Sequence, residues 1–445
     1  MKAFRNFLKK LWKYPSAVMG ILVILALVAV AVYAVVTIPY NEAIRMWRGG
    51  EEVWYQNPKF AAPSWINLFS RKKYAESFAV KTSDGTLPKE VTSGAEDTST
   101  ITATYPFTFN SDYLPQDMIL YLTSSFQEKQ PFISAEWETP DGRTIRLTNM
   151  AVSEKQTYRF AQDEKLKTKL RTDDVISALF TDPETGEIVK GEYKLLLSGA
   201  TFEPESTLDA EFVFHGQVYG LAGTDQARRD LMVPLLWGTP VALAFGLLAA
   251  LGTAVLTMII AALGTWYGGW FDQLIQRITE VNIVLPFLSI LIMVGTFYSR
   301  SIWVMLGTTI LLSIFTGSII AYRSTFMQVK ESMYIEAARA YGASSPRIVF
   351  LYLIPRMIPL LIPTLVSAVP AFVFLEASLA LLGLGDPVLP TWGKIINDAN
   401  TNGALYRGYY YWILEPATLL MITGLGFAML GFALDRIFNP KLRDV

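Results

Sequence analysis

The sequence predicts an α-helical polytopic membrane protein with six transmembrane helices and a mainly β domain set between the first and second. Three observations carry this. Of 445 residues, 52% are hydrophobic and only 17% charged, where ordinary soluble domains carry about a quarter charged residues. Long charge-free runs recur along the chain. Between the first two runs lies a polar, domain-sized stretch of strand-like and loop-like segments.

Composition also excludes whole classes. A net charge of -1 gives a nucleic-acid partner no electrostatic support. The absence of Cys removes disulfides, thiolate nucleophiles and Cys-based metal sites. One histidine, His215, leaves little material for a Ser-His-Asp triad or a His-based zinc site.

A span needs about 20 apolar residues to cross about 30 Å of hydrocarbon. Ala17–Ile38 is the first such run. It is longer than the apolar core of a secretory signal, so it reads as an uncleaved span despite the Ala29-Val30-Ala31 triplet. The stretch between Asp230 and Asp272 is charge-free and fits one span, from about Leu235 to Ala262. That leaves "GTWYGGW", Gly264 to Trp270, as an interfacial turn. Val281–Ser299, Ser301–Ala321, Met357–Leu382 and Glu415–Leu434 complete the six; Val281–Ser299 is short and contains Pro286.

Basic residues set the orientation. Lys2, Arg5, Lys9, Lys10 and Lys13 precede the first span with no acid among them, which keeps the N-terminus in the cytoplasm. Six spans then put the C-terminus inside, with Arg436, Lys441 and Arg443. The loop Tyr322–Arg356 also falls inside, with Arg323, Lys330, Arg339, Arg347 and Arg356. Outer loops hold only Arg300, Lys394 and Arg407. The localisation expected is a cell (inner) membrane, multi-pass, with both termini cytoplasmic.

Three regions follow: 1–40 with the first span, an extracytoplasmic mainly β domain at 41–222, and a five-span core at 223–445. In the β domain, Thr82–Thr100 is loop by composition and Thr100–Phe109 alternates as a strand does. Pro131–Val152 reads as two strands turning at Pro140-Asp141-Gly142. Ser153–Phe180 is charged and helix-like. Asp182–Gly186 opens a strand pair with Glu192–Phe202 and Leu208–Val218 as its arms.

The polar stretch "YIEAARAYGASSPRIVFLYLIP", residues 334–355, lies between apolar runs. Glu336-Ala337-Ala338-Arg339-Ala340 is strong helix-forming sequence, and Gly342 accepts the left-handed conformation that ends a helix. Ser345 as N-cap and Pro346 at the first position start a second helix, which runs through Ile348 and Leu351 to Pro355. The alanine pair gives the short helix a surface that a partner approaches closely.

Glu336, Ala337, Ala338, Gly342, Ile348 and Pro355 at this spacing resemble the EAA loop of ABC importer permeases. Two further motifs resemble the dipeptide/oligopeptide C-type subunit. One is Gly223-Thr224-Asp225 with Arg229 and Asp230, where Arg228 stands at a position usually Gly. The other runs from Glu376, Ser378 and Leu379 through Gly383-Leu384-Gly385 to Pro390, Trp392 and Gly393. The resemblance covers roughly residues 1–65 and 220–445. In the family the "APSW" stretch, here Ala62 to Trp65, leads almost directly to Gly-Thr-Asp, so the β domain looks inserted into a short loop.

The resemblance implies a type I ABC importer permease-like fold whose short helix couples to an ATPase subunit. It implies a second homologous permease subunit, two ATP-binding subunits and an extracytoplasmic solute-binding protein, all working in membrane lipid. No G-x-x-x-x-G-K-[ST] occurs, so this chain binds no cofactor of that kind: ATP and magnesium belong to the partners, and the chain is no enzyme. Peptide is the first expected solute, with oligosaccharide or nickel complexes as alternatives. A membrane-anchored receptor using the β domain is the rival class, and it leaves the EAA stretch unexplained.

Other residues carry plainer readings. Glu376 sits in the fifth span, where an ionisable group either lines a pathway or bonds a neighbouring helix. His215 reads as structural, and Thr224 and Asp225 as caps for the second span. The cluster Tyr406 to Trp412 fits an interfacial belt.

Overall fold

The structure, a computed structural model, describes residues 11–94 and 98–438. Lys2, Arg5, Lys9, Lys10, Lys441 and Arg443 lie outside the described residues. Two compact units result: Met1–Arg48 with Val233–Val445, and Gly49–Met232.

The first unit is helical. Helix α1, Pro15–Thr37, is followed by the short amphipathic α2, Tyr40–Arg48, which buries Ala43 and Trp47. Helix α3, Met232–Tyr267, is a 36-residue helix, about 54 Å long and so longer than the hydrocarbon is thick. It absorbs most of the expected interfacial turn: only Gly268 and Gly269 turn the chain, both at positive φ.

The next two elements are bent. α4 (Gly269–Val284) and α5 (Phe287–Phe297) meet at 81°, and α6 (Ile302–Ile314) and α7 (Gly317–Lys330) at 48°. The expected spans Val281–Ser299 and Ser301–Ala321 each contain such a break. Pro286 lacks an N–H and clashes with a preceding helical carbonyl, so α4 cannot run on. At the second break Phe315 and Thr316 leave the helix, and Asn282 donates its amide to the Leu312 and Phe315 carbonyls at 2.8 Å each.

Short α8, Met333–Ala340, precedes a 40-residue helical run, Ser345–Leu384. The body of that run is α9, Ile354–Leu379. Single π-turns flank α9 at Val349–Leu353 and Ala380–Leu384. α10 (Trp392–Thr401) and α11 (Tyr411–Phe438) finish the unit. Among the described residues, four helical runs are long and apolar enough to cross a membrane, namely α1, α3, Ser345–Leu384 and α11, or six segments if each bent pair is one. Tyr406 and Tyr410 are exposed, but Tyr411 and Trp412 are buried, so the 406–412 cluster is only in part an interfacial belt.

Small residues let these helices touch. A Cβ on Gly20 of α1 would stand 2.7 Å from the Gly426 carbonyl of α11, and one on Gly393 would stand 2.6 Å from Ala377 of α9. Trp392 is fully buried and donates its indole N–H to the Leu235 carbonyl of α3 at 3.0 Å.

The second unit is a two-sheet sandwich. Its strands are β1 Phe78–Lys81, β2 Lys89–Ser93, β3 Ser99–Phe109, β4 Asp117–Ser125, β5 Phe132–Glu138, β6 Thr144–Ala151, β7 Lys155–Arg159, β8 Gly191–Thr201 and β9 Thr207–His215. One sheet has the order β1-β9-β4-β7 and the other β2-β3-β8-β5-β6. Between them lie Trp137, Phe160, Phe180, Tyr193, Phe212 and Phe214, all almost fully buried.

Three expectations are corrected. The stretch Thr82–Thr100, loop by composition, contains β2, which pairs antiparallel with β3 at the sheet edge. The arms Glu192–Phe202 and Leu208–Val218 do not pair: β8 lies between β3 and β5, β9 between β1 and β4. Alternation shows that each strand buries one face, and two facing sheets satisfy that as well as a hairpin does. The stretch Ser153–Phe180 is not all helical. Its start is β7, and its helices are Glu164–Leu170, capped by Asp163, and Val175–Phe180, capped by Asp174.

This unit runs from Gly49 to Met232, against the 41–222 read from the sequence. Thr224 and Asp225 hold its closing segment and are not caps of α3. The Thr224 hydroxyl donates to the Pro58 carbonyl at 2.8 Å and accepts from Ala61 N at 2.9 Å. The Asp225 carboxylate takes Ala227 N, Arg229 N and the Arg229 side chain. Asp230 instead accepts from Met232 N at 2.9 Å. Arg228 adopts φ 64°, the left-handed conformation that glycine adopts freely. Its guanidinium donates to the Asn57 carbonyl at 2.5 Å and stands 3.3 Å from the His215 ring.

Burial first, then the Arg228 charge, pushes the His215 pKa down to about 4. The folded ring stays neutral while the unfolded ring protonates below about pH 6.5. The stabilisation is complete above that pH and is lost as pH falls towards 4, by about 2.5 kcal/mol at pH 4.5. Buried Asp225 and half-buried Asp117 and Asp230, whose pKa values desolvation raises, act in the opposite sense. We expect His215→Gln to flatten the pH dependence relative to wild type. Hydrogen exchange of β9 amides at pH 4.5 and 7, corrected for intrinsic rates, reads the difference.

Candidate functional site

Most of the EAA-like stretch forms one structure on the membrane helices. α8 starts after Ser332 in extended conformation, and its Ile335 is fully buried. Ile335 joins a cluster with Ala262 of α3, Ile275 of α4, Phe326 of α7, and Ile348, Val349 and Leu353. Met333, Glu336, Ala337, Ala340 and Tyr341 face outward and are exposed. Ala338 is half-buried against the cluster, so the open alanines are Ala337 and Ala340 rather than the 337/338 pair.

Gly342 ends α8 at φ +78°. Its N–H donates to the Arg339 carbonyl at 2.9 Å, and Ala343 N donates to the Ala338 carbonyl at 3.0 Å. This pair of bonds is the Schellman arrangement, which occupies carbonyls left free at a helix end. The next helix begins one residue earlier than expected: Ser344 is the N-cap, and Pro346 follows Ser345 within the first turn. Ile348 is buried. Pro355 does not stop the chain, because the π-turn at Val349–Leu353 brings the helix into α9 without a break.

Residues outside the motif hold α8 in place. Trp266, near the end of α3, lies under two cations. The Arg339 guanidinium carbon is 4.5 Å from its ring centroid and the Lys330 ammonium 5.7 Å. Lys330 also donates to the Thr265 and Trp266 carbonyls at 2.8 and 3.1 Å, which satisfies the end of α3. Arg323 of α7 pairs with Asp272 of α4 through two hydrogen bonds of 2.8 and 2.6 Å. Sequence reasoning took Trp266 for an interface residue. No local signal marks the contact, because Lys330 and Arg339 lie more than 60 residues beyond Trp266 in the chain.

Glu376 is not part of this assembly. It lies 21 residues beyond Pro355 on the same helical run, about 30 Å along the axis. Its side chain is buried and faces the Thr391 hydroxyl. The void beside it, between Phe245, Met305 and Leu384, is only ≈ 10 Å³, room for about one water. The structure therefore places it in a packed contact with the segment leading into α10.

Residues 254–444 match the family model for the binding-protein-dependent transport system inner membrane component. The dipeptide transport system permease protein DppC of Bacillus subtilis is 30% identical over 225 residues, 50% of this chain and 68% of that protein. The chain belongs to the permease family of dipeptide/oligopeptide ABC importers. The oligopeptide permease OppC of Bacillus subtilis is 29% identical over 224 residues, 50% of this chain and 72% of its own. The glutathione permease GsiD of Pectobacterium atrosepticum is 28% identical over 225 residues, 50% and 73%. The permease is thus a multi-pass membrane protein, and the family match begins beyond the β-rich unit.

Gly342→Val forces a β-branched residue into left-handed backbone, at about 1–2 kcal/mol. The last turn of α8 is expected to fray while the Ile335 cluster stays packed. Hydrogen exchange should rise at 338–343 and stay unchanged at 348–353; equal protection with wild type would contradict the capping role.

Proposed function

We propose that this chain is the membrane-spanning subunit of an ATP-driven importer of peptides, forming half of the translocation pathway. ATPase motion enters through α8. The observation that carries this reading is the two-sided character of α8. Its inner face is fixed by Ile335 and by the cations over Trp266, and its outer face presents small Ala337 and Ala340 beside Glu336. A helix tied to α3, α4 and α7 at once moves them when a partner moves it.

The partners in this reading are a second homologous permease, two ATP-binding subunits and a solute-binding protein. ATP and magnesium sit on the ATP-binding subunits, since this chain has no P-loop sequence. Peptide is preferred to oligosaccharide or nickel complexes because relatives are named for dipeptide, oligopeptide and glutathione transport. Each bent pair counts as one span, giving six, with both termini and α8 in the cytoplasm and the β-rich unit outside. That unit serves contact with the binding protein or with the partner permease.

Ala337→Arg puts a long cation on the open face of α8 without touching the core. Uptake by vesicles carrying the whole complex is expected to fall to background, while the variant still inserts and ATP hydrolysis persists. Ala338→Arg should be worse, because it also meets the core. Full uptake with Ala337→Arg would remove the coupling role.

The topology is tested separately on this Cys-free chain. An impermeant maleimide applied from outside should label Glu90→Cys and spare Ala343→Cys. The reverse pattern would overturn the orientation.

A further inference from the structure

A cleft of ≈ 270 Å³ lies within the helical unit, between α3, the α6–α7 break and α9. Its walls carry Thr253, Thr257, Ser313, Thr316, Ser318 and Thr364, with Tyr322 beside them. None of its lining residues is an acid, a lysine, an arginine or a histidine. We propose that this hydroxyl-lined cleft is part of the solute path and passes the peptide main chain without selecting for charge. The inference rests on the importer reading above.

Three physical arguments converge. Hydroxyl groups gathered on one side of membrane helices gain nothing from lipid, so they face protein or water. Ser318 and Thr364 are exposed, and Thr253 has a buried hydroxyl with no hydrogen-bond partner. Ser318 and Thr253 are not consumed by packing as Thr257 is, whose hydroxyl donates to the Ile314 carbonyl at 3.1 Å, whereas Thr364 is exposed with its hydroxyl donating to the Leu360 carbonyl of its own helix at 3.1 Å.

The second argument is the break itself. Irregular backbone at membrane depth is tolerated where it lines a cavity or is buried in protein, and interrupted helices commonly mark solute sites. The α6–α7 break opens onto the cleft through Ser313, Thr316 and Ser318.

The third is chemical. A peptide offers an N–H and a C=O at almost every residue, and each hydroxyl is both donor and acceptor. A wall of hydroxyls replaces water for such a chain whatever its side chains are. A wall with formal charges would hold one sign of peptide and repel the other. Small walls, Ala250, Ala254 and Ala368, leave room for varied side chains.

The test uses the complete transporter in proteoliposomes with its binding protein and ATPases. Thr364→Cys and Ser318→Cys are made in this Cys-free chain and modified after assembly, so folding is not in question. Negatively charged sulfonatoethyl or positively charged trimethylammonioethyl methanethiosulfonate is used. Maximal uptake rates of Ala-Asp-Ala and Ala-Lys-Ala are then compared, with the unsubstituted complex treated identically.

The unmodified complex should transport both peptides with similar maximal rates. The negative adduct should lower the Asp/Lys rate ratio and the positive adduct raise it, each by about tenfold, as one charge pair at partly desolvated range allows. A packing defect would slow both peptides equally and leave the ratio unchanged, which would overturn the proposal. Failure of the reagents to modify either cysteine in the turning-over complex would overturn it too, by showing a closed protein contact. If the unsubstituted complex takes up neither peptide, the peptide-importer reading itself fails.

Discussion

Hydrocarbon offers no hydrogen bonds, so every backbone group freed at a helix break must find a partner inside the protein. Much of the helical unit is arranged around that requirement. Asn282 of α4 serves the carbonyls freed where α6 ends, and Thr257 of α3 serves Ile314. Lys330 serves the end of α3, and the Asp386 carboxylate accepts Ile302 N at the start of α6. Each bond joins elements far apart in sequence, so the breaks become the points at which helices are fastened together. The place of α8 follows from one of them, because Lys330 immediately precedes it and is anchored to α3.

Packing between helices follows from a second constraint. Apolar side chains gain little by leaving lipid for one another, so association depends on close contact. Gly20 and Gly426 let α1 and α11 touch backbone to backbone, and Gly393 seats α10 against α9. On the α8 side the driving force differs. Ile335 and Ile348 close a cluster around Phe326, and the charged heads of Arg339 and Lys330 cover Trp266 at its edge. A cation over a partly buried aromatic adds about 0.5–2 kcal/mol and fixes direction as well as distance.

The β-rich unit obeys ordinary aqueous rules. Its aromatic core around Trp137 resembles that of any two-sheet sandwich. Its junction is more particular. Arg228 keeps the backbone conformation a glycine would take, and its guanidinium reaches Asn57, Glu51 and His215. Arg228 thus ties the first residues of the β-rich unit to its own closing turn.

What the sequence determined by itself was local or additive. Apolar runs located α1, α3, α9 and α11, because burial in lipid needs only length and hydropathy. The Glu336 to Gly342 pattern located α8 and its left-handed cap, because propensity and the missing Cβ act within a few residues. Alternation located β3, and turn signals located β5, β6, β8 and β9. Only the tertiary structure decided which strands pair: β8 and β9 follow one another yet lie in different sheets, since a buried face does not specify its partner. It also moved Thr224 and Asp225 from helix caps to a knot around Pro58 and Ala61, and turned Ala338 inward. It brought Trp266, Lys330 and Arg339 together across more than 60 residues of chain. None of these was legible, because each depends on a contact between segments whose separate sequences carry no trace of the other.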